Sequence, residues 1–373
     1  MKFIECKLSE LGEIVGGSTP FTKNESYYGG DIPWLTPKDL ANFNGRYINF
    51  GERNITEAGY KSTSVKMLPI NSVLFSSRAP IGYVAINNKN EVCTNQGFKS
   101  VIPNSKTDYM FLYYLLKYNK NKIEAMGSGT TFKEVSGTVM KNIIVNVPEA
   151  KEDQIKIGKI LSKIDDKIEL NTHTNDNLLE LIKKLYIEKI KNNNDINFEE
   201  KNLDEFCNIF TGKKNANASE ENGQYKFFTC APEPLSINSY IYDGPAVIIA
   251  GNGAYTGRTN FYNGKFDLYQ RTYGITTNND YIYLFYAMIY TDLQNDIMGG
   301  THGSAIPYIV MNDIAKFKVK YNKELFDELS QKIKVLLLKI KINEAQNETL
   351  EQLRETLLPK LMNGEIDLDK IKI

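Results

Sequence analysis

Three arginines, Arg78 in SSRAP, Arg258 and Arg271, sit in polar stretches. A guanidinium fork there could pair with the O6/N7 edge of guanine or clamp a phosphate. Asn95, Gln96, Gln270 and Asn252 carry carboxamides, which present a donor and an acceptor side by side as the edge of adenine requires. Ser18, Thr19 and Lys23, Thr36 and Lys38, and Lys213 with Lys214 add hydroxyls and ammonium groups suited to phosphate. Two glycine-rich runs do the same with exposed backbone amides: GSGTTFK (127–133), with Thr130, Thr131 and Lys133, and GGTHGS (299–304), with His302 and Ser304. The same residue types also serve as ordinary solvated charges, and His302 as an ordinary turn residue.

Groups for bond-breaking chemistry are scarce by comparison. The two histidines, His173 and His302, leave little for general-base or zinc chemistry, and a Ser/His/Asp order for hydrolysis cannot be made out. Cys6, Cys93, Cys207 and Cys230 lack CxxC spacing, so buried free thiols are expected and no metal site. The sequence holds no phosphate-binding P-loop and no Asn/Asp-Pro-Pro-aromatic motif of an adenine methyltransferase. GNGAYTG (251–257) is flanked by strand-like runs, not a helix, and reads as a turn. The chain is expected to be non-catalytic.

Positioning those side chains falls to a repeated architecture. From Ile157, one heptad set runs Ile157, Ile164, Asn171, Leu178, Leu185 and its companion Leu161, Ile168, Asn175, Ile182, Lys189. A shift of 172 residues turns these into Leu329, Leu336, Asn343, Leu350, Leu357 and Ile333, Ile340, Asn347, Arg354, Leu361. One long helix therefore occurs twice, with two amides at the same phase. If the helices pair antiparallel, Asn171 lies opposite Asn347 and Asn175 opposite Asn343, and a slipped register leaves buried amides unpartnered at roughly 1–3 kcal/mol each. The amides could instead be exposed at a bend. His173 falls on the outer phase.

The globular segments repeat too. LSELGEIVGGSTP (8–20) matches LDEFCNIFTGKKN (203–215), VLFSSRAPIGYVAI (73–86) matches VIIAGNGAYTGRTN (247–260), and 126–148 aligns with 298–320. Framework positions agree while loop contents differ, as expected of one scaffold carrying two different readers or of drift after duplication. The divisions read as 1–149, a globule; 150–198, helix and Asn-rich linker; 199–321, the second globule; and 322–373, the second helix with Gly364 as its stop. DYMFLYYLLKYN reads as an apolar helix and Trp34 as core.

Composition sets limits. With 42% apolar residues the chain is globular, and no apolar run reaches membrane-spanning length, so a cytoplasmic protein is expected. Net charge is zero, with 17 basic and 13 acidic residues in 1–149 against 10 and 13 in 199–321. Bulk electrostatics alone would not hold such a chain on a polyanion.

The order globule, long helix, globule, long helix, with LSELGEIVGGSTP, IPWLTPKDL (32–40), VLFSSRAPIGYVAI and the closing ETLLPKLMNGEIDL (355–368), resembles the specificity subunits of type I restriction-modification enzymes over essentially the whole chain. The resemblance implies an α+β fold: two mixed α/β target recognition domains separated by two long antiparallel coiled-coil helices, with an internal pseudo-two-fold repeat. It implies that each domain reads one half of a split site on double-stranded DNA, and that the helices set the spacing. Forty helical residues span roughly 60 Å, and equivalent groove faces of B-DNA recur every ~34 Å. It further implies two methyltransferase subunits bringing S-adenosylmethionine, a motor-nuclease subunit using ATP and Mg, and no cofactor in this chain. KIDDKIE (163–169) and NETLEQLRE (347–355) are candidate docking faces, or plain solvated coil. The competing readings are a non-catalytic scaffold whose duplicated domains bind protein or sugar, and a specificity subunit of a methylation-only phage-defence system.

Overall fold

VLFSS, a run without polar alternation, becomes the strand Val73–Ser77, buried along its whole length as a two-sided core strand must be. The computed structural model describes residues 1–368 except 42, 44, 79, 130–132 and 294–307. Contacts divide the chain into two units, Met1–Leu170 with Gln346–Ile373, and Asn171–Ala345.

In the first unit, Val73–Ser77 belongs to a four-stranded antiparallel sheet ordered Gly12–Gly16, Lys99–Pro103, Val73–Ser77, Ile81–Ile86. The apolar helix Tyr109–Tyr118 packs with this sheet in one core, burying Phe111, Leu112, Tyr114 and Leu116. Its start is set by Asp108, whose carboxylate accepts from the Phe111 amide at 2.8 Å and satisfies one of the orphan donors of the first turn. A two-stranded ribbon, Phe3–Lys7 with Ile144–Pro148, completes the globule. Trp34 is core, with its indole N–H donating to the Ser18 carbonyl at 3.0 Å.

The second unit repeats this frame. Its sheet runs Asn208–Thr211, Thr272–Thr276, Tyr242–Ala250, Thr259–Leu268, the same order as in the first unit, and then adds Tyr225–Phe228 and Leu235–Ile237. Glu199–Asn202 with Lys318–Tyr321 is the matching ribbon. Individual hydrogen bonds recur as well: Lys7 N–H to Glu10 and Asn202 N–H to Glu205, both 2.7 Å; Ser77 N–H to the Gly97 carbonyl at 2.7 Å and Gly251 N–H to that of Arg271 at 2.9 Å. The bonds Val135 N–H to Ser77 and Ile309 N–H to Gly251 are both 3.0 Å. These pairs relate residues by 195 near each start (7 to 202) and by 174 further on (77 to 251, 135 to 309). The alignment of 126–148 with 298–320, a shift of 172, is therefore corrected by two residues. Pairing in the ribbon gives the same shift, since Lys7 stands opposite Ile144 and Asn202 opposite Lys318.

Both long helices form, Lys151–Tyr186 and Lys323–Met362. Glu152 and Asp153 occupy the first turn of the former, where the positive end of the dipole favours carboxylates. Gly364, at φ 73°, takes the left-handed conformation that ends the latter, and the Glu365 amide closes back on the Lys360 carbonyl at 2.9 Å. Within the first unit Ile157 and Leu161 share a core with Leu357, Leu361 and Met362, and Arg354 meets Asp165. Within the second, Leu178, Ile182 and Tyr186 share a core with Leu325, Leu329, Ile333 and Ile340. Rising numbers meet falling ones, so the helices pair antiparallel in each unit. Each such side chain contributes roughly 1.5–3 kcal/mol on burial.

The heptad expectation fails at its end. Leu185 is only half-buried and Lys189 is exposed; Tyr186 and Ile190 are buried instead, across a π turn at Ile187–Lys191. Spacings of four residues replace the alternation of three and four, because here the helix faces a globule core containing Met288 and Leu293.

The amides lie where the helices pair. Asn343 donates to Asn175 Oδ1 at 2.8 Å in the second unit, Asn347 reaches the Ile168 carbonyl at 3.5 Å in the first, and Asn171 and Asn343 are buried. Replacing both Asn175 and Asn343 by leucine is expected to raise the melting temperature while loosening register, since an apolar pair removes the cost of burying amides and the penalty on slippage together. Thermal melting reads the first effect. Disulfide trapping at in-register and one-turn-shifted cysteine pairs reads the second, and an unchanged preference for the in-register pair would show that this amide pair does not hold register.

Candidate nucleic-acid interface

Gly17 and Gly212 occupy the same place in the two globules, just after the first sheet strand. A Cβ on Gly17 would overlap the carbonyls of Thr94 and Asn95, and one on Gly212 the carbonyl of Leu268. Only glycine permits this approach. It lays GGST (16–19) beside CTNQG (93–97) in the first globule, and TGKK (211–214) beside LYQR (268–271) in the second.

On this frame the polar residues meet. In the first globule the Ser18 amide donates to the Thr94 carbonyl at 2.9 Å and the Thr19 hydroxyl to Gln96 Oε1. In the second, the Gln270 amide donates to the Lys214 carbonyl at 2.9 Å and the Thr211 hydroxyl to the Gln270 carbonyl at 2.8 Å. Gln96 and Gln270 are equivalent by the 174-residue shift, and both are exposed. Around them the copies differ: Ser18 and Thr19 correspond to Lys213 and Lys214, Arg78 to Asn252, and Glu134 to Tyr308. The last two pairs are joined by matching bridges, Arg78 with Glu134 and Asn252 with Tyr308.

Several candidates already hold local partners. Arg78 Nη1 faces Glu134 at 3.4 Å, and Lys99, which sequence reasoning passed over, shares that carboxylate at 3.2 Å. Thr36 donates through both its amide and its hydroxyl to Asp39 at 2.7 Å, which starts the short helix Pro37–Ala41. Lys38 pairs with Glu52 at 2.8 Å but stays exposed, so the pair is weak and its ammonium accessible. Asn95 accepts from the Gly97 amide at 2.8 Å. Lys214 pairs with buried Asp267 at 3.1 Å, and Asn252 Oδ1 accepts from the Cys230 thiol at 3.0 Å. Arg258 stacks over Tyr255, 5.8 Å from the ring centre. Lys23, Lys133, Lys213 and Arg271 are exposed. Thr130, Thr131, His302 and Ser304 lie outside the described residues.

No group of three or more His, Cys, Asp or Glu among the described residues is placed to hold a metal, and no described helix is long and apolar enough to cross a membrane. The cysteines are free thiols, but only Cys93 is buried as expected; Cys6, Cys207 and Cys230 are half-buried. Burial, with Glu91 and Asp204 adding to it, pushes Cys93 and Cys207 each up to about 12.

KIDDKIE differs from a plain solvated face. Asp165 is buried and accepts from the Tyr114 hydroxyl at 2.6 Å and from Arg354, while Asp166 and Glu169 both bind Arg46. Its acids are all paired inside the first unit, and buried Asp165 needs this most, because a carboxylate held out of water demands counter-charge close by. Arg354 was visible in sequence as a charge at an apolar heptad position. Arg46 gave no local signal, being at least 116 residues from its partners.

Two copies of one loop frame, with unlike side chains at like positions, define a duplicated reader of two different surfaces. A family profile, the type I restriction modification DNA specificity domain, matches residues 2–180 and 195–354, and the chain belongs to this family. It is similar to the type I restriction enzyme MjaIX specificity subunit of Methanocaldococcus jannaschii, at 33% identity over 98% of this chain and 94% of that protein. The EcoDI specificity subunit of Escherichia coli is 37% identical over 44% of this chain and 37% of its own length. The crystal structure of a type I restriction-modification S subunit from M. genitalium shares the fold, with TM-score 0.60 and 19% identity over 97% of this chain and 96% of that one.

Proposed function

We propose that this chain is the DNA-reading subunit of a type I restriction-modification complex, each globule reading one half of a split, asymmetric sequence with unread base pairs between. The observation that carries this is the unlike side chains on like loops: hydroxyls at Ser18 and Thr19 against ammonium groups at Lys213 and Lys214, Arg78 against Asn252. Identical readers would recognise a palindrome; these would not. Phosphate contacts come from the exposed lysines and arginines and base contacts from the carboxamides and arginines. Zero net charge leaves much of the backbone grip to partner subunits. Those partners are two modification subunits, which bring S-adenosylmethionine, and a motor-nuclease subunit using ATP and Mg. They also carry the catalysis, in the cytoplasm where the DNA is.

The test is reconstitution with the modification subunits and sequencing of the sites methylated in a random duplex library. A split, asymmetric motif is expected; no enriched split motif, with or without the partners, would favour a scaffold that binds protein or sugar. Replacing Gln96 or Gln270 by alanine should relax discrimination at one base pair of one half-site only, by about 1–3 kcal/mol for a lost bidentate contact. Competition between matched and mismatched duplexes measures it.

A further inference from the structure

We infer that Arg46 is a positioning residue, which holds the first globule at a fixed angle on the helix pair and thereby restricts the complex to one gap length between half-sites. The inference rests on the DNA-reading proposal above and adds to it a determinant outside both reading surfaces.

The side chain of Arg46 is 3% exposed and spends all three guanidinium nitrogens on one helix face. Nε and Nη2 bind the two Glu169 oxygens, each at 3.0 Å, Nη1 reaches the Ser162 carbonyl at 3.3 Å, and Nη2 also meets Asp166. Residues 162, 166 and 169 follow one another at spacings of four and three, so the fork lies along two turns of the first long helix. At its other end the anchor is stiff: the Arg46 carbonyl accepts from the Ile86 amide at 2.8 Å, the Ile48 amide donates to the Ile86 carbonyl at 2.9 Å, and Ile86 ends a strand of the sheet. On the next position of the helix, Asp165 receives the Tyr114 hydroxyl from the globule and Arg354 from the second long helix. Sheet, globule helix and both long helices of the first unit thus meet at two adjacent clusters, Arg46 with Asp166 and Glu169, and Arg354 with Tyr114 on Asp165.

Such ion pairing is a poor device for stability alone, because well-packed apolar groups often do as well. What it supplies is direction. A planar fork bound at both carboxylate oxygens tolerates little rotation, whereas an apolar contact slides. Burial opposes the charge on Arg46, yet the bonds from Glu169 and Asp166 hold the guanidinium above its usual range. A globule free to rock on the helix would meet its half-site over a range of helical positions, and neighbouring gap lengths would then be accepted.

The full chain, parent or variant, is assembled with its modification subunits and given a duplex library in which both half-sites are constant and the gap varies by up to two base pairs either way. Arg46→Met is expected to raise methylation at gaps one base pair off, relative to the favoured gap, by tenfold or more, with the base preferences of both half-sites intact. Arg46→Lys keeps the charge without the fork and should fall between; Glu169→Gln should also widen the gap. If Arg46→Met fails to assemble, the other two make the same comparison. A variant that methylates with the gap profile of the parent overturns the inference, as does one that loses first-half base preference while its gap profile stands. A parent complex showing no split motif would instead overturn the DNA-reading proposal itself.

Discussion

Truncating Arg354 to alanine is expected to destabilise the first unit by about 3–5 kcal/mol, the cost of leaving a buried charge without its partner. Asp165 is 4% exposed, and of the two side-chain hydrogen bonds described for its carboxylate, those from Arg354 and the Tyr114 hydroxyl, the truncation leaves the latter. Burial, together with the neighbouring charge of Asp165, already raises the Tyr114 phenol above its usual range, so this hydroxyl stays a donor and cannot act as a counter-charge. The control is the triple variant Asp165→Leu, Arg354→Leu, Tyr114→Phe, which removes charge and donor together and should cost far less than the single truncation, since apolar groups of similar shape replace buried ion pairs at little loss. Urea unfolding of the full chain, followed by circular dichroism, measures both. Equal losses in the two variants would mean that packing volume, not the uncompensated charge, is what Arg354 supplies.

The second large effect concerns recognition. Exchanging residues 1–148 for the corresponding globule of a relative with another specificity should replace one half of the methylated sequence and leave the other half untouched. The physical basis is that each globule carries its own core: Phe75, Phe111 and Tyr114 belong to one cluster, Ile249, Phe261 and Phe285 to another. Separate cores let one reader change without disturbing the other. Specific and non-specific binding differ by roughly 10³–10⁷ in typical protein–DNA systems, so the switch in the changed half should be nearly complete. The graft must keep an arginine at position 46 and a tyrosine at 114, because these two bind the helix acids Asp165, Asp166 and Glu169. Methylome sequencing reads the outcome, and a change in both halves would show that the globules do not read independently.

How much of this was legible beforehand differs from residue to residue. The heptads, the amides at Asn175 and Asn343, the stop at Gly364 and the strand VLFSS are local patterns whose period or residue type carries the physics, and a one-dimensional reading finds them. The repeat was visible for the same reason, although its shift near residues 126–148 came out two residues short; loop lengths vary freely where only the ribbon pairing is held. The candidate contacts were chosen by type alone, and type does not say that Arg78 faces Glu134 or that Thr36 caps a helix against Asp39. Nor does type reveal that Gln96 and Gln270 share a position, which emerges only from the bonds around Gly97 and Arg271.

The amino-acid sequence by itself determined that there are two helices of one pattern and two globules of one pattern, because periodicity and repetition are properties of neighbours along the chain. Tertiary structure alone decided which charges are spent: Arg46 on Glu169 and Asp166, Arg354 on Asp165, Lys214 on Asp267. The reason is physical: a charge takes its partner from whatever the fold brings within a few ångströms, and for Arg46 that partner lies more than a hundred residues away.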